Sequence, residues 1–451
     1  MLNVEVIATE ELGDRSYLAH DGVVAIVVDP QRDIDRIEAL LAERGLTLAL
    51  VVETHIHNDY VTGGHQLAAR TGARYVVNAD DPVTFDRTAV RAGDELTAGN
   101  MTVRVVATPG HTFTHLAYVI SAGDPSTAPA VFTGGSLLYG SVGRTDLVDP
   151  AHTDELTRAQ YHSARHLAAS LPGEAAVYPT HGFGSFCSAG PAVGGPSGTI
   201  ADERARNDAV LEADEDTFVT RLVAGLTAYP AYYAHMAPAN LAGPGPIDLS
   251  PLPTLQPREL AERIAAGEWV VDLRDRTAYA AEHLTGSIGI GLGPQFATWL
   301  GWVIPWNTPL TLIGENTEQV ADAQRQLVRI GIDRPEGRAT GTIDALADGR
   351  PTRSYPAATF DDLRSGRDED RVIVDVRRDD EHAVAHIRGA LHIPLPELAD
   401  RLGELPVRQL WVHCQSAYRA SIGASLLDRA GFDVVLIADE FPHAQELGLT
   451  E

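Results

Sequence analysis

The sequence predicts a multidomain protein of mixed α/β and α+β class, with three domains in series. Its 451 residues, 44% of them hydrophobic, are enough for two to four domains with their own cores. Over roughly the first half, short apolar runs of β type alternate with segments of helical periodicity. Further on, two segments repeat: Asp272-Leu273-Arg274 and Asp375-Val376-Arg377 each precede a histidine, His283 or His386, at the same spacing, and Gly286 and Gly389 fall at matching offsets.

The elements follow in order. Residues 23–29 read as a strand, and 33–43 as a helix with Ile34, Ile37, Leu40 and Leu41 on one face. Asp33 is expected to cap that helix and Gly45 to end it. Residues 48–52 form a continuous apolar strand that stops at Glu53 and Thr54, so the polar cluster after it lies at a strand end, where sites are commonly built. The Pro/Gly-rich stretch 238–257 reads as a linker, and a second break falls at 349–356. The expected domains are 1–236, 255–345 and 355–451. In the second, the strand 310–313 runs into Gly314-Glu315-Asn316 and carries no nucleophile; that domain reads as a spacer or docking surface.

The net charge of -27 repels phosphate backbones and anionic lipid, which argues against nucleic acid or membrane partners. The opening residues show no basic leader followed by an apolar core, and no run reaches the roughly 18 apolar residues of a membrane span. Two cysteines, Cys187 and Cys414, are too few for a disulfide framework. A reducing, cytoplasmic setting is expected.

Thr54-His55-Ile56-His57-Asn58-Asp59-Tyr60 places two imidazoles and a carboxylate on one loop, where alternate residues point the same way. Thr108-Pro109-Gly110-His111-Thr112 and Tyr178-Pro179-Thr180-His181-Gly182 each follow a β-type run and add one imidazole. Singly, such histidines are ordinary loop residues; as a spaced set they suit zinc or iron, with Asp59 as a hard oxygen donor.

With Phe132-Thr133-Gly134 and Gly143-Arg144-Thr145-Asp146, this set resembles the metallo-β-lactamase superfamily, and within it the persulfide dioxygenases. Together with the downstream repeat, nearly the whole chain resembles fusions of a persulfide dioxygenase with rhodanese-type sulfurtransferase domains. The resemblance implies an αββα sandwich followed by two rhodanese-like α/β domains. It also implies one Fe(II) per chain, held by His55, His111 and an aspartate after Phe-Thr-Gly.

That third position is Gly135, and the family's histidine after Asp59 is Tyr60. Three outcomes stand open: Asp59 or His57 enters the metal shell; His55, His57 and His111 hold Zn(II) with a bound water; or metal binds weakly. Restoring the carboxylate as Gly135→Asp is expected to raise iron occupancy if the side chain fits. Arg144 is a candidate for holding an anionic substrate end, or else a structural partner of Asp146. Cys187, in a glycine-bearing loop after His181, holds or passes a persulfide, or simply packs.

In the last domain the strand 410–413 ends at Cys414, and Gln415, Ser416, Ala417, Tyr418 and Arg419 lead into a helix over 420–430. Such a loop aims amide N–H groups and a helix N-terminus at one point, favouring a thiolate and, with Arg419, an anionic sulfur species. Its six-residue span resembles the rhodanese loop.

The leading expectation is oxidation of a small thiol persulfide to sulfite by O2, coupled to sulfur transfer at Cys414, with persulfide, sulfite or thiosulfate as small-molecule partners and a homo-oligomer as the assembly. A zinc-dependent thioester hydrolase of the glyoxalase II type is the main rival. A non-enzymatic sulfur carrier with a vestigial metal site is the third reading.

Overall fold

The computed structural model describes residues 2–123, 127–190, 197–366 and 371–451. The chain divides into two compact units, Met1–Ile247 with Val328–Gly331, and Asp248–Leu327 with Ile332–Glu451.

The first unit holds two six-stranded sheets, each with its strands in chain order. One comprises Asn3–Thr9, Asp14–His20, Val24–Val28, Thr47–Val52, Arg74–Asn78 and Thr88–Val90; the other comprises Glu95–Ala98, Met101–Ala107, Leu116–Ala122, Ala130–Gly134, Ala176–Pro179 and Gly198–Thr199. Alternation along the strands sorts side chains between two layers. Ile26 and Val28 join Leu116, Tyr118, Ile120 and Phe132 in a core between the sheets. Their neighbours Ala25 and Val27 pack instead on Ile37 and Leu41 of the helix Asp35–Arg44. On the far side Ala117, Val119 and Val131 pack on Tyr161, Ala164 and Leu167 of the helix Thr153–Ser170. The result is the expected αββα sandwich.

Two local expectations are corrected. Asp33 does not cap the helix Asp35–Arg44; its carboxylate is taken by Arg36 at 2.7 Å, and Ile34 stands at the N-cap without a side-chain bond. Gly45 does end that helix, at φ 64°. The stretch 238–257 is not linker throughout: Tyr233–Ala242 is a helix that contains Pro238, and the first unit runs to Ile247 rather than 236. Proline forfeits one helical hydrogen bond there. The segment is held in place by Asn240, whose amide donates to the carbonyls of His57 and Tyr60, both at 2.9 Å, and accepts from Thr62 N–H at 2.9 Å.

The second unit shows the sequence repeat as a repeat of structure. Trp269–Asp272 pairs in parallel with Leu310–Gly314, as Val372–Asp375 pairs with Leu410–His413. At each first-strand end an Asp-x-Arg pair closes on itself: Arg274 Nη2 donates to Asp272 Oδ2 at 2.8 Å and to the Glu282 carbonyl at 2.8 Å. Arg377 does the same to Asp375, at 2.6 Å, and to Ala385, at 2.8 Å. His283 and His386 each direct Nδ1 to the carbonyl four residues earlier.

Candidate functional site

In the first unit the ends of five strands converge on a buried cluster of imidazoles and carboxylates. His55 follows Thr47–Val52, His111 follows Met101–Ala107 and His181 follows Ala176–Pro179. All three are at most 2% exposed, as are His57 and Asp59. His55, His57 and His181 each offer a ligand atom, mutually within 4.8 Å; so do His111, His181 and Cys187, and so do Asp14, Asp59 and His181. His181 therefore belongs to all three groups. The His55 and His111 rings meet edge to face, 4.7 Å between centroids.

The hydrogen-bond network assigns the tautomers. Asp29 accepts from Thr54 N–H at 2.7 Å and from the Thr54 hydroxyl at 2.8 Å. That hydroxyl, its proton spent, accepts from His55 Nδ1 at 2.9 Å, which leaves Nε2 as an acceptor, 3.4 Å from His181 Nε2. His111 Nδ1 donates to the Arg144 carbonyl at 2.6 Å, and its Nε2 has no partner. His181 Nδ1 sits between Asp14, at 2.9 Å, and Asp59, at 3.1 Å. Outer carboxylates and carbonyls of this sort fix ligand orientation and basicity at metal sites.

Charge divides the cluster. Burial pushes His55 well below its usual range and His111 down to about 3, so both are neutral. Burial also acts to lower His57, but Asp29 and Glu53 outweigh it and lift the group to about 9; its Nε2 lies 3.4 Å and 3.3 Å from their carboxylates. In His181 burial is likewise outweighed, here by Asp59 and Asp14, and the group rises to about 10. Burial and the nearby Asp59 raise Asp14 to about 7, whereas in Asp59 the His181 charge overcomes burial and holds the carboxyl low. Tyr60 stacks on His57, 4.3 Å between centroids, with its hydroxyl 3.0 Å from Nε2.

In the second unit Cys414 ends the strand Leu410–His413 and is 1% exposed. Ala417 adopts the left-handed conformation, φ 65°, turning Gln415 and Ser416 into a compact loop before the helix Tyr418–Arg429. Gln415 accepts from Phe441 N–H at 2.9 Å. The Tyr418 hydroxyl donates to the Gly291 carbonyl at 2.8 Å. Arg419 is not the open anion-binding arm that the sequence suggests: Nη1 and Nη2 engage both oxygens of Glu381, at 2.5 and 2.7 Å. Its guanidinium carbon also lies 5.5 Å from the centre of the Trp299 ring, so the cysteine-free domain helps to wall the loop.

Residues 359–441 match the model of the rhodanese-like domain. Over 193 residues, 41% of the chain, the sequence is 37% identical to a hydroxyacylglutathione hydrolase of Cupriavidus metallidurans, covering 68% of that protein. A hydroxyacylglutathione hydrolase of Brucella ovis is 33% identical over 186 residues, 67% of its length. The crystal structure of a metallo-β-lactamase from Staphylococcus aureus superposes with a TM-score of 0.67 at 26% identity, covering 76% of this chain and 99% of that one. The chain belongs to the metallo-β-lactamase-fold family. Its C-terminal portion is a rhodanese domain. ETHE1 from Myxococcus xanthus is 30% identical, covering 53% of this chain and 98% of that one, with a TM-score of 0.46.

As in other metallo-β-lactamase-fold proteins, the donor set suits a metal ion. Among the described residues His57 Nδ1, His111 Nε2, Asp14 Oδ2 and Asp59 Oδ1 are buried polar atoms without a hydrogen-bond partner. Buried polar groups are rarely left so, and a cation held in the cluster would give such atoms a partner. A carboxylate at position 135 has no room: a Cβ there would meet His111 Cδ2 at 2.4 Å and Cγ at 2.6 Å.

Arg144 is corrected from a substrate-binding to a structural residue. It is 2% exposed, bidentate to Asp146 at 2.7 and 2.8 Å, and bonded to the carbonyls of Phe186, at 3.1 Å, and Thr227, at 2.7 Å. Those bonds engage four of the five guanidinium N–H groups. Cys187 is fully buried beside His111 and His181, and burial raises its thiol well above the usual range.

Sequence reasoning missed Asp14, Asp29, Glu53, His115, Asn240 and Glu381. His115 accepts from Gly135 N–H at 3.0 Å and so fixes the backbone beside His111. Only Glu381 had a usable signal, its place in the acidic run after Arg377-Arg378. The others carry no motif.

Proposed function

We propose that the chain oxidises and transfers sulfane sulfur. The observation that carries the reading is a rhodanese-type cysteine loop, Cys414 to Arg419, in one chain with a buried histidine site of metallo-β-lactamase type. Cys414 attacks the outer sulfur of thiosulfate, the S–S bond breaks, sulfite leaves, and the cysteine holds a persulfide whose terminal sulfur passes to an acceptor such as cyanide. The loop amides and the first turn of Tyr418–Arg429 stabilise the anionic sulfur. Glu381 holds Arg419 in register beside the loop.

In the first unit His55, His111 and His181, with His57, Asp59 or Cys187, would hold the metal. Bound ferrous iron supplies open positions for O2 and a thiol persulfide, for the balanced reaction of persulfide, O2 and water to thiol and sulfite. Asp29, through Thr54, and the Arg144 carbonyl keep His55 and His111 in the neutral tautomers that present Nε2. Both half-reactions share sulfite and sulfane sulfur, and a reducing cytosol keeps both thiols free.

The hydroxyacylglutathione hydrolases among the relatives favour a second reading, metal-activated hydrolysis of a glutathione thioester. On the resemblance, Tyr60 stands where that chemistry's second metal needs a histidine, which supports the first reading over it, whereas Gly135 takes a ligand from either.

The test is oxygen consumption with glutathione persulfide on metal-loaded protein, beside hydrolysis of S-lactoylglutathione and sulfur transfer from thiosulfate to cyanide. Oxygen uptake with stoichiometric sulfite, and transfer abolished in Cys414→Ser with oxygen uptake retained, is the expected pattern. Thioester hydrolysis without oxygen uptake, or a Cys414→Ser protein that transfers at the parental rate, overturns the reading.

A further inference from the structure

Gly135 brings no side chain to the N-terminal site, and the His111 ring fills the space one would need. A divalent ion bound by neutral imidazoles alone would lack an anionic ligand in a buried, low-dielectric site, where uncompensated charge is costly. In the cluster Asp14 and Asp59 already face His181 Nδ1, at 2.9 and 3.1 Å, so a further anionic ligand on the Nε2 side of the imidazoles would come from another residue.

We propose that Cys187 supplies it, as a thiolate ligand to the metal together with His111 and His181. This inference rests on the metal-binding half of the proposed function. Ligand atoms of these three buried residues lie mutually within 4.8 Å. In both imidazoles Nδ1 is committed, which leaves Nε2 as the nitrogen a metal would take. His111 gives Nδ1 to the Arg144 carbonyl and keeps an unpartnered Nε2. His181 gives Nδ1 to Asp14 and Asp59, and its Nε2 meets His55 Nε2 at 3.4 Å, a contact that a bound metal would replace.

Arg144 ties the set together. Its carbonyl accepts from His111, and its own N–H donates to the Cys187 carbonyl at 2.8 Å, so one residue's backbone pins two ligands. The Arg144 guanidinium then bonds to the Phe186 carbonyl, one residue before the thiol. Cys187 N–H is held by Ser185 Oγ at 3.2 Å. The Cys187 thiol is thus fully buried on a loop held at both its N–H and its carbonyl.

Binding is a ligand exchange without redox change: the divalent ion displaces the thiol proton, one S–metal bond forms, and the proton leaves to solvent. The thiolate contributes one negative charge to the ion's surroundings. Its softness favours thiophilic divalent ions more than a carboxylate would.

The experiment uses the full chain as Cys414→Ser, in which Cys187 is the sole remaining thiol, since the sequence has two cysteines. Metal-free protein is titrated with Co(II), and bound cobalt is counted by equilibrium dialysis while the absorption spectrum is recorded. The expected result is one cobalt per chain with an intense near-ultraviolet thiolate-to-cobalt charge-transfer band. Adding Cys187→Ser should abolish the band and weaken cobalt binding about tenfold or more, on the scale seen when metal-site support is lost. Stoichiometric cobalt binding without the band overturns the Cys187 assignment and leaves the metal reading standing. No cobalt binding at all overturns both. The spectrum of the Cys414→Ser protein decides the matter even if the double variant fails to fold.

Discussion

Replacing Gly135 by alanine, the smallest possible change, tests whether the His111 slot is as tight as its geometry indicates. An added Cβ would lie 2.4 Å from His111 Cδ2, 2.6 Å from Cγ and 3.1 Å from Cβ, so the crowding reaches the root of the side chain and not only a flexible tip. The ring cannot slide away freely. Gly143 backs it, where a Cβ would meet His111 Nδ1 at 2.8 Å, and Gly143 N–H is bonded to the Gly135 carbonyl at 2.8 Å. Overpacking of a core costs about 1–3 kcal/mol. Displacing the ring also breaks the bond from Nδ1 to the Arg144 carbonyl, about 1 kcal/mol more. Gly135→Ala should therefore destabilise the first unit by about 2–4 kcal/mol and weaken its metal binding.

Gly135→Asp should do worse, because its carboxylate joins the buried Asp14 and Asp59 and still displaces a ligand. The expectation from sequence, that the aspartate restores iron, is thus reversed by the packing. Urea unfolding separates the units, since all five tryptophans lie at residue 269 or beyond. The far-ultraviolet circular dichroism transition should move while the tryptophan fluorescence transition stays. An unmoved dichroism midpoint, or a Gly135→Asp protein that binds more iron than the parent, refutes the reasoning.

Asn240→Ala removes three side-chain hydrogen bonds to the loop that carries His57 and Tyr60, and should cost about 2–3 kcal/mol; equilibrium dialysis should find looser metal, and unchanged affinity would show that the clamp is unimportant to the site. Glu381→Gln breaks the pair with Arg419, both largely buried, and should slow sulfur transfer to cyanide while destabilising the second unit by up to about 3 kcal/mol. Trp299, beside Arg419, should report that change in its fluorescence. His413 has neither ring nitrogen hydrogen-bonded and is stacked 5.8 Å from Phe441; burial pushes it down to about 4 from the ordinary 6.5, against the opposing pull of the Asp375 carboxylate 3.7 Å from Nε2. Between those values the unfolded chain takes up a proton that the folded one does not, so the second unit should be most stable above about pH 6.5 and lose about 3 kcal/mol as pH falls to about 4. His413→Phe should flatten the acid slope of the fluorescence-detected urea midpoint, and an unchanged slope would assign it elsewhere.

Much of this was legible in the residues because it rests on local rules. Continuous apolar runs located the strands at 48–52 and 410–413, a 3.6-residue period located the helix that Gly45 ends, and the spacing of Asp272 to His283 against Asp375 to His386 exposed the duplication. The loops bearing His55, His111, His181 and Cys414 were recognisable because each follows an apolar strand. The helix Tyr233–Ala242 was hidden: Pro238 and the glycines after it read as linker, and the three bonds of Asn240 that anchor it reach residues about 180 positions away.

The sequence by itself determined the order of elements and the inventory of donors at the strand ends, since periodicity and turn chemistry act over a few residues, and its motifs carried the resemblance that implied the αββα sandwich and a rhodanese domain after it. Only the tertiary structure decided how those donors are used. Asp14 meets His181 across 167 positions, and Asp29 reaches Thr54 across 25 and thereby sets the tautomer of His55. The same holds for Arg144, whose guanidinium is spent on Asp146 and two carbonyls, and for Arg419, bound to Glu381 across 38 positions. Burial, charge and the few ångströms of room beside a glycine are properties of the packed neighbourhood, so Gly135 reads in the sequence as a missing ligand and in the fold as the floor of the His111 slot.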